Sequence, residues 1–401
     1  MIFNVEKAKN NEFTLKLNGK YLYSKYKPRE DAYKFIQNQI NEKCQCYILF
    51  GLGLGYHLEA LLYYGVKEPI IAVALFREEL KIFYKYNNIN ISSNVTIVFY
   101  ENLNLINNID YQFIIPNSLI KSLNGNHPLF EVIEDLKIRQ ISVTSYADIM
   151  NENFYENIKN NDENISKFKG LLKDRVGCLI SAGPSLEDRL SDLKTISTNT
   201  YLICVGSALN LLLANEIVPN AVIISDPQDN IISQLMGLNY KGELLYLSTA
   251  NYKTVKSFLG SKKIIYQYGF PLAEKVALNN KYDLLETGGS VATTALSVLE
   301  YMDAKKIVLF GQDFGFASNN THVKKSTSNL QITNKIVYRK VLSNNNSFID
   351  TTSNLETYAR WFEKKIKINN LKVYNTALNG RKMECVPYID SKELLELVIK
   401  N

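Results

Sequence analysis

One junction between a strand and a helix constrains this chain more than any other stretch of its sequence. Residues 177–186 read Gly-Cys-Leu-Ile-Ser-Ala-Gly-Pro-Ser-Leu, an apolar run that ends in a turn containing Gly183 and Pro184. A helix is predicted from Glu187 onwards, so the turn presents backbone N–H groups at a helix start, which suits a phosphate or another anion. The stretch matches neither the Walker A pattern nor the G-x-G-x-x-G pattern, and many such turns contain Gly and Pro for geometric reasons alone. This turn alone does not establish a binding site, so its interpretation depends on the other turns of the chain.

The composition is that of a soluble globular protein. The 401 residues predict two or three domains, with 46% hydrophobic and 21% charged residues. The net charge of +6 forms no long basic block, which argues against a nucleic-acid partner. The longest apolar runs, 47–54 and 69–76, are too short to span a bilayer. Without a signal-peptide pattern or a C-x-x-C pair, the sequence predicts a cytoplasmic protein with free thiols and no membrane span.

The first part of the chain reads as strand, glycine turn, helix and strand. An apolar run at 46–50 leads into Gly51-Leu-Gly-Leu-Gly-Tyr-His57, and the next apolar run is 69–75. This order predicts a βαβ unit in a parallel sheet. A nucleotide site in this turn would need an acidic residue at the end of the second strand, where residues 74–76 are Ala-Leu-Phe. A turn without a ligand is the favoured interpretation, a small-molecule site stays open, and His57 is interpreted as a packed or capping residue.

The second part of the chain contains a series of apolar strands that end in small or polar residues. Ligands of open α/β sheets bind outside the carboxyl ends of the strands, so at least five such turns together predict a pocket. Each residue alone is explained as well by a turn or a helix cap. The turn residues that we take as candidate ligand-binding positions are Gly183, Pro184, Ser185, Gly206, Ser207, Ser225, Thr249, Gly288, Gly289, Ser290, Gly311 and Gln312.

Several of these motifs together resemble the motility-associated factor glycosyltransferases, flagellin-modifying proteins of the uncharacterised-domain-115 group. The motifs are Ser181-Ala-Gly-Pro-Ser-Leu186, Ser225-Asp-Pro227, Gly288-Gly-Ser-Val-Ala292, and Gly311-Gln-Asp-Phe314 followed by Thr321-His322. The Gly51–His57 stretch is similar to the first domain of that family. The Gly-Pro-Ser-Leu and Gly-x-Asp-Phe pair also resembles bacterial sialyltransferases.

The stretch from about 150 to 168 is rich in Asn and Glu, yet its apolar residues keep a near-helical spacing, so it predicts a connecting helix and a domain boundary near residue 165. With that boundary, the resemblance implies an α/β chain of three parts. These are a Rossmann-like N-terminal domain (1–165), a central GT-A/sialyltransferase-like α/β catalytic domain (166–330) and a helical C-terminal region (331–401). The sequence departs from the family in residues 377–380, Ala-Leu-Asn-Gly, which match its acidic, glycine-containing segment only loosely.

The resemblance also implies an activity. A nonulosonic acid of the pseudaminic, legionaminic or sialic type would pass from its CMP-activated form to Ser or Thr of flagellin, as flagellum assembly and motility require. The candidate turn residues would then bind the nucleotide sugar, with backbone N–H groups of 183–185 and 288–290 stabilising phosphate charge. His322 is the candidate base because its ordinary pKa is near neutrality, or it is only an exposed loop residue beside two lysines. Asp226 or Asp313 would bind sugar or ribose hydroxyls, or position the acceptor.

Two alternatives remain at this point. Another member of the same group is a pterin diphosphokinase that uses ATP and magnesium. A non-catalytic chaperone that binds flagellin is the other alternative. No cofactor and no metal ligand is assigned, and a magnesium requirement stays open.

Overall fold

The computed structural model describes residues 2–41, 44–105, 110–123, 125, 127–316 and 339–399. The chain divides into two compact units, residues 1–141 and 142–401, which we call unit 1 and unit 2. This division concerns compactness, so the expected domain limits at residues 165 and 330 stay a prediction.

Unit 1 combines a three-stranded antiparallel sheet with a four-stranded parallel sheet. Its strands are β1 (Phe3–Lys7), β2 (Phe13–Leu17), β3 (Lys20–Tyr21), β4 (Cys46–Phe50), β5 (Ile70–Ala74), β6 (Val95–Phe99) and β7 (Tyr111–Ile114). Its helices are α1 (Pro28–Gln37), α2 (Tyr56–Tyr63), α3 (Arg77–Tyr86), α4 (Asn117–Leu123) and α5 (Phe130–Ile158), which continues past residue 141.

The four-stranded sheet has the order β6-β5-β4-β7, with every pair parallel. All five residues of β4 are buried, as expected for a parallel strand covered on both faces. The βαβ unit predicted from the apolar runs is confirmed.

Unit 2 is built on one large sheet. Its strands are β8 (Glu163–Asn164), β9 (Val176–Ile180), β10 (Tyr201–Val205), β11 (Ala221–Ile224), β12 (Glu243–Leu247), β13 (Lys262–Ile265), β14 (Lys306–Phe310), β15 (Arg339–Leu342), β16 (Phe348–Thr351) and β17 (Val373–Asn375). Its helices, besides the end of α5, are α6 (Leu190–Ile196), α7 (Gly206–Ala214), α8 (Tyr252–Ser257), α9 (Pro271–Asn280), α10 (Val291–Tyr301), α11 (Ser353–Ile368) and α12 (Ser391–Ile399).

The eight strands of the large sheet follow the order β17-β14-β9-β10-β11-β12-β13-β8, and every pair is parallel. From β9 the chain builds one side of the sheet through β10, β11, β12 and β13. It then returns to place β14 on the other side of β9. The order of strands thus reverses between β9 and β14, and a crevice opens at such a point in an open α/β sheet.

The predicted fold class is confirmed. Both parallel sheets belong to α/β architecture, and α11 and α12 form the helical C-terminal region. Three short strands accompany these helices, and β17 pairs with β14 in the large sheet. Within the described part of the chain, no helix has the length and apolar character needed to cross a membrane. All five cysteines are free thiols.

Candidate active site

A cavity of about 490 Å³ lies at the point where the strand order of the large sheet reverses. The loops after β9 and β14 border it, together with the first residues after β10, the start of α10 and one side of α11. Its volume is in the range of small-molecule sites. The predicted pocket at the carboxyl edge of the sheet therefore exists, and it lies entirely within unit 2.

The cavity unites about half of the predicted site residues. Those that line it are Gly183, Pro184, Ser207, Ser290, Gly311, Gln312 and Asp313. Seven others are not part of the lining: Ser185, Gly206, Ser225, Asp226, Thr249, Gly288 and Gly289. His322 lies outside the described residues, and its assignment as a base stays a prediction.

Asp313 is the buried carboxylate of the cavity. It is 7% exposed, and its Oδ2 accepts hydrogen bonds from the Ser185 hydroxyl (2.9 Å) and the Ser185 backbone N–H (3.3 Å). Burial raises the pKa of Asp313 to about 6, although both bonds favour the charged form. A carboxyl group that titrates near neutrality can accept a proton during a reaction.

Gln312 contributes a side-chain amide beside Asp313. Its Oε1 accepts a hydrogen bond from the Ser181 hydroxyl at 2.6 Å, and both residues are buried. Since that bond fixes the amide, its Nε2 is held as a donor that has no partner among the described residues. The amide is thus available to a ligand in the cavity.

The expected backbone donors of the first turn are already used within the protein. The N–H of Gly183 donates to the carbonyl of Gly311 (2.9 Å), and the N–H of Ser185 donates to Asp313. Pro184 has no N–H group. This turn therefore holds Asp313 in place, and its donors are not free for a phosphate.

The start of α10 offers the free donors instead. Ser290 caps the helix in a capping box with Thr293, whose Oγ1 also accepts the N–H groups of Gly288 (2.9 Å) and Ser290 (3.2 Å). The N–H groups of Val291 and Ala292, which follow, have no partner among residues that the structure describes, and both residues line the cavity. They carry the partial positive charge of a helix start.

The helix α11 supplies a wall that the sequence did not reveal. Leu355 and Tyr358 of this helix line the cavity, and Phe314 and Phe316 add to its apolar surface. A Cβ atom on Gly288 would lie 2.5 Å from Trp361 of the same helix. The helical spacing of residues 355, 358, 362 and 366 predicts an amphipathic helix, but spacing alone does not say which surface the helix covers.

The turns after β11 and β12 are held by side chains of unit 2 rather than open to the cavity. Asn157 donates to the carbonyls of Ser248 (3.0 Å) and Ala250 (2.7 Å), and Asn153 donates to that of Pro227 (2.9 Å). Thr249 is 2% exposed, and its hydroxyl accepts a hydrogen bond from Nε2 of Gln267, whose Oε1 accepts one from the Ser248 hydroxyl. Asp226 accepts the backbone N–H of Gln228 in its own turn. Burial raises the pKa of Tyr358, and the negative charge of Asp226 adds to that shift.

No group of three or more His, Cys, Asp and Glu side chains is arranged to hold a metal ion within the described ranges.

The comparisons with known proteins concern both the central region and the whole chain. Residues 152–319 match the model of a family described as 6-hydroxymethylpterin diphosphokinase MptE-like. The MAf glycosyltransferase from Magnetospirillum magneticum AMB-1 is similar in structure, with a TM-score of 0.52 and 14% sequence identity. The alignment covers 97% of this chain and 70% of that one. The chain shares the fold of that glycosyltransferase. The expected resemblance to the motility-associated factor group is thus confirmed at the level of the fold, and no curated protein sequence matches the chain.

Proposed function

We propose that this chain is a glycosyltransferase that moves a nonulosonic acid from a CMP-sugar to a Ser or Thr hydroxyl of flagellin. The observation that carries the proposal is the pairing, in one cavity, of a buried carboxylate with the free donors of a helix start. The similarity in fold to a MAf glycosyltransferase supports the same reaction class.

The donor phosphate is assigned to the start of α10. A CMP-sugar carries one phosphodiester, and the N–H groups of Val291 and Ala292 can each donate to one of its oxygens. The amide Nε2 of Gln312 supplies a further donor at the same cavity. These groups stabilise the charge that grows on the phosphate as the sugar leaves.

The transfer itself needs an acceptor for one proton. The bond between the anomeric carbon and the phosphate oxygen breaks, and CMP departs with the electron pair. The acceptor hydroxyl oxygen forms the new bond to the anomeric carbon, and its proton passes to the carboxylate of Asp313. A base of pKa near 6 is matched to this task at neutral pH. Asp226 is proposed to bind sugar or ribose hydroxyls, and His322 remains the alternative base.

The test uses the purified full chain, recombinant flagellin and CMP-activated nonulosonic acids. Intact mass of the flagellin should rise by whole sugar residues, with release of one CMP for each. Binding of flagellin without CMP release under any donor would instead support a chaperone.

A pterin diphosphokinase is the second candidate, because residues 152–319 match a family described by that activity. The assay adds 6-hydroxymethylpterin, ATP and magnesium to the same protein, and measures AMP formation. AMP release that depends on the pterin, with no sugar transfer, would replace the first proposal by the second.

A further inference from the structure

The glycine turn of unit 1 stands where a Rossmann-like sheet ordinarily binds its ligand. Gly51 follows β4 directly, and the order β6-β5-β4-β7 reverses between β4 and β7. Ligands of open α/β sheets bind at this reversal. The side chain that lies there is Glu79 of α3, which is 1% exposed.

Both carboxylate oxygens of Glu79 bind the turns at the ends of β4 and β5. Oε1 accepts the backbone N–H of Gly53 and Oε2 accepts that of Leu75, each at 2.8 Å. Burial raises the pKa of Glu79, and these hydrogen bonds oppose the shift because they favour the charged form. Two backbone donors aimed at one carboxylate are an arrangement that proteins also use for the anionic groups of ligands.

Other side chains of unit 1 fill the remaining space over the glycines. The Tyr23 hydroxyl accepts the N–H of Leu54 and donates to the carbonyl of Leu52, both at 3.2 Å. A Cβ atom on Gly53 would lie 2.6 Å from the Tyr23 hydroxyl oxygen, and one on Gly55 would lie 2.0 Å from Nδ2 of Asn87. The void that remains is about 10 Å³, which is no larger than one water requires.

We propose that this glycine turn is an anion-binding site whose permanent occupant is the carboxylate of Glu79, and that it takes no nucleotide. Gly53 and Gly55 are then required for the close approach of Tyr23 and Asn87, not of a substrate. The end of β5 has no acidic residue that could bind the ribose of a nucleotide. The carboxylate at this place belongs to Glu79 of α3, and both of its oxygens are bound to backbone N–H groups. This proposal does not depend on the activity proposed for unit 2.

The test removes the carboxylate of Glu79 from the full-length chain by substitution and then adds acetate to the solution as a replacement. We expect Glu79→Ala to lower the thermal midpoint of unit 1 by on the order of 10 °C, because two buried N–H groups lose their acceptor. Hydrogen exchange of the peptide that contains residues 51–56 should rise in the same variant. Sodium acetate at pH 7 should reverse both effects in a saturable way, at a matched concentration of sodium chloride in the reference sample.

The exposed neighbour on the same helix provides the control. Glu78→Ala should leave the midpoint and the exchange of residues 51–56 unchanged, and acetate should add nothing. Glu79→Gln should be nearly as unstable as Glu79→Ala, since its NH₂ group faces a backbone donor, and it serves if the alanine variant does not fold.

Two results would overturn the proposal. One is a glutamine variant as stable as the wild type, with no gain from acetate in either variant. The other is protection of residues 51–56 in the wild type by CMP, ATP or S-adenosylmethionine, which would show an open nucleotide site.

Discussion

Gly183 and Asp313 are in direct contact between two loops that line the cavity. A Cβ atom on Gly183 would lie 2.1 Å from Oδ2 of Asp313 and 2.3 Å from the carbonyl oxygen of Gly311. The glycine is therefore required at this position because the carboxylate occupies the space of a side chain. The turn at residues 181–186 therefore holds the side chain of Asp313 in position.

The first prediction follows from this contact. Gly183→Ala should displace Asp313 and break its bonds to Ser185, and a shift of about 1 Å in a reacting group lowers turnover on the order of 10²-fold. Sugar transfer to flagellin and binding of CMP are both measured. We expect the loss mainly in turnover. Gly269→Ala is the control, since an added Cβ there meets no atom within 4 Å and only the positive φ of 79° resists it. Unchanged turnover in Gly183→Ala would contradict the assigned role of Asp313.

The second prediction concerns the pH dependence of activity. If Asp313 accepts the proton, turnover should rise with pH through about 6, where its carboxyl group ionises. Asp313→Asn should lower turnover by a factor on the order of 10²–10⁴ and remove this limb of the pH profile. If Asp313→Asn keeps the rise of turnover through about pH 6, another group is the base, and His322 is the first residue to test by substitution.

The third prediction concerns stability in unit 2. The pKa of Asp313 is raised from 3.8 to about 6, so the folded state holds its proton more tightly than the unfolded state does. The free energy of unfolding should therefore fall as pH rises from about 4 to 6, by about 3 kcal/mol from this group. Trp361 is the single tryptophan and lies in α11, so its fluorescence reports unfolding of unit 2. Asp313→Asn should be less sensitive to pH over this window, and an identical slope in both proteins would exclude the shift.

The fourth prediction has the opposite sign and concerns unit 1. His57 is 7% exposed and stacks on Tyr23, with ring centroids 5.1 Å apart, so its interpretation as a packed histidine is confirmed. Burial lowers its pKa to about 4, and the unfolded state therefore binds a proton more readily between pH 6.5 and 4. Stability of unit 1 should fall by about 3 kcal/mol as pH drops through this range. His57→Phe should remove that dependence, as hydrogen exchange of unit 1 peptides at pH 7 and pH 5 would show.

The fifth prediction contrasts two adjacent glycines before α10. Gly289 has a φ of +91° and is exposed, with Tyr358 the neighbour at 3.5 Å from an added Cβ. Gly289→Val should weaken CMP binding at least tenfold through the strained turn, while unit 2 keeps a cooperative unfolding transition. Gly288→Ala should instead displace Trp361 and change its fluorescence. Undiminished CMP affinity in Gly289→Val would show that this glycine has no role in CMP binding and serves only to form the turn.

The position of the site could be predicted because the pattern of strands and turns determines it. Apolar runs followed by small residues placed Gly183, Gly311 and Asp313 at one edge of a parallel sheet, and there the cavity lies. The pattern could not tell a free donor from one that the protein uses itself. The pattern indicates that the N–H groups of residues 183–185 and 288–290 are free for a phosphate, but those of Gly183, Ser185, Gly288 and Ser290 are used within the protein. The N–H groups without a partner among the described residues are those of Val291 and Ala292.

The features that the sequence did not predict depend on contacts between segments that are distant in the chain. Thr249 follows a strand as Ser207 does, yet its hydroxyl bonds to Gln267 and is shielded from the cavity. Glu79 could be placed on the helix after β5, but its return to the glycine turn depends on packing that no local pattern encodes. Tyr358 lies 45 residues beyond Asp313, and nothing in its own neighbourhood indicates that it faces the same cavity.

The position of β17 at one edge of the large sheet has a consequence for synthesis of the protein. β17 pairs with β14, whose loop carries Asp313, and α11 directly before it provides the cavity wall. The large sheet is therefore complete only once the chain to residue 375 has left the ribosome. Until then β14 presents an unpaired edge, which is a template for pairing with other chains. A truncation before β17 should accordingly yield aggregated protein rather than a smaller folded one.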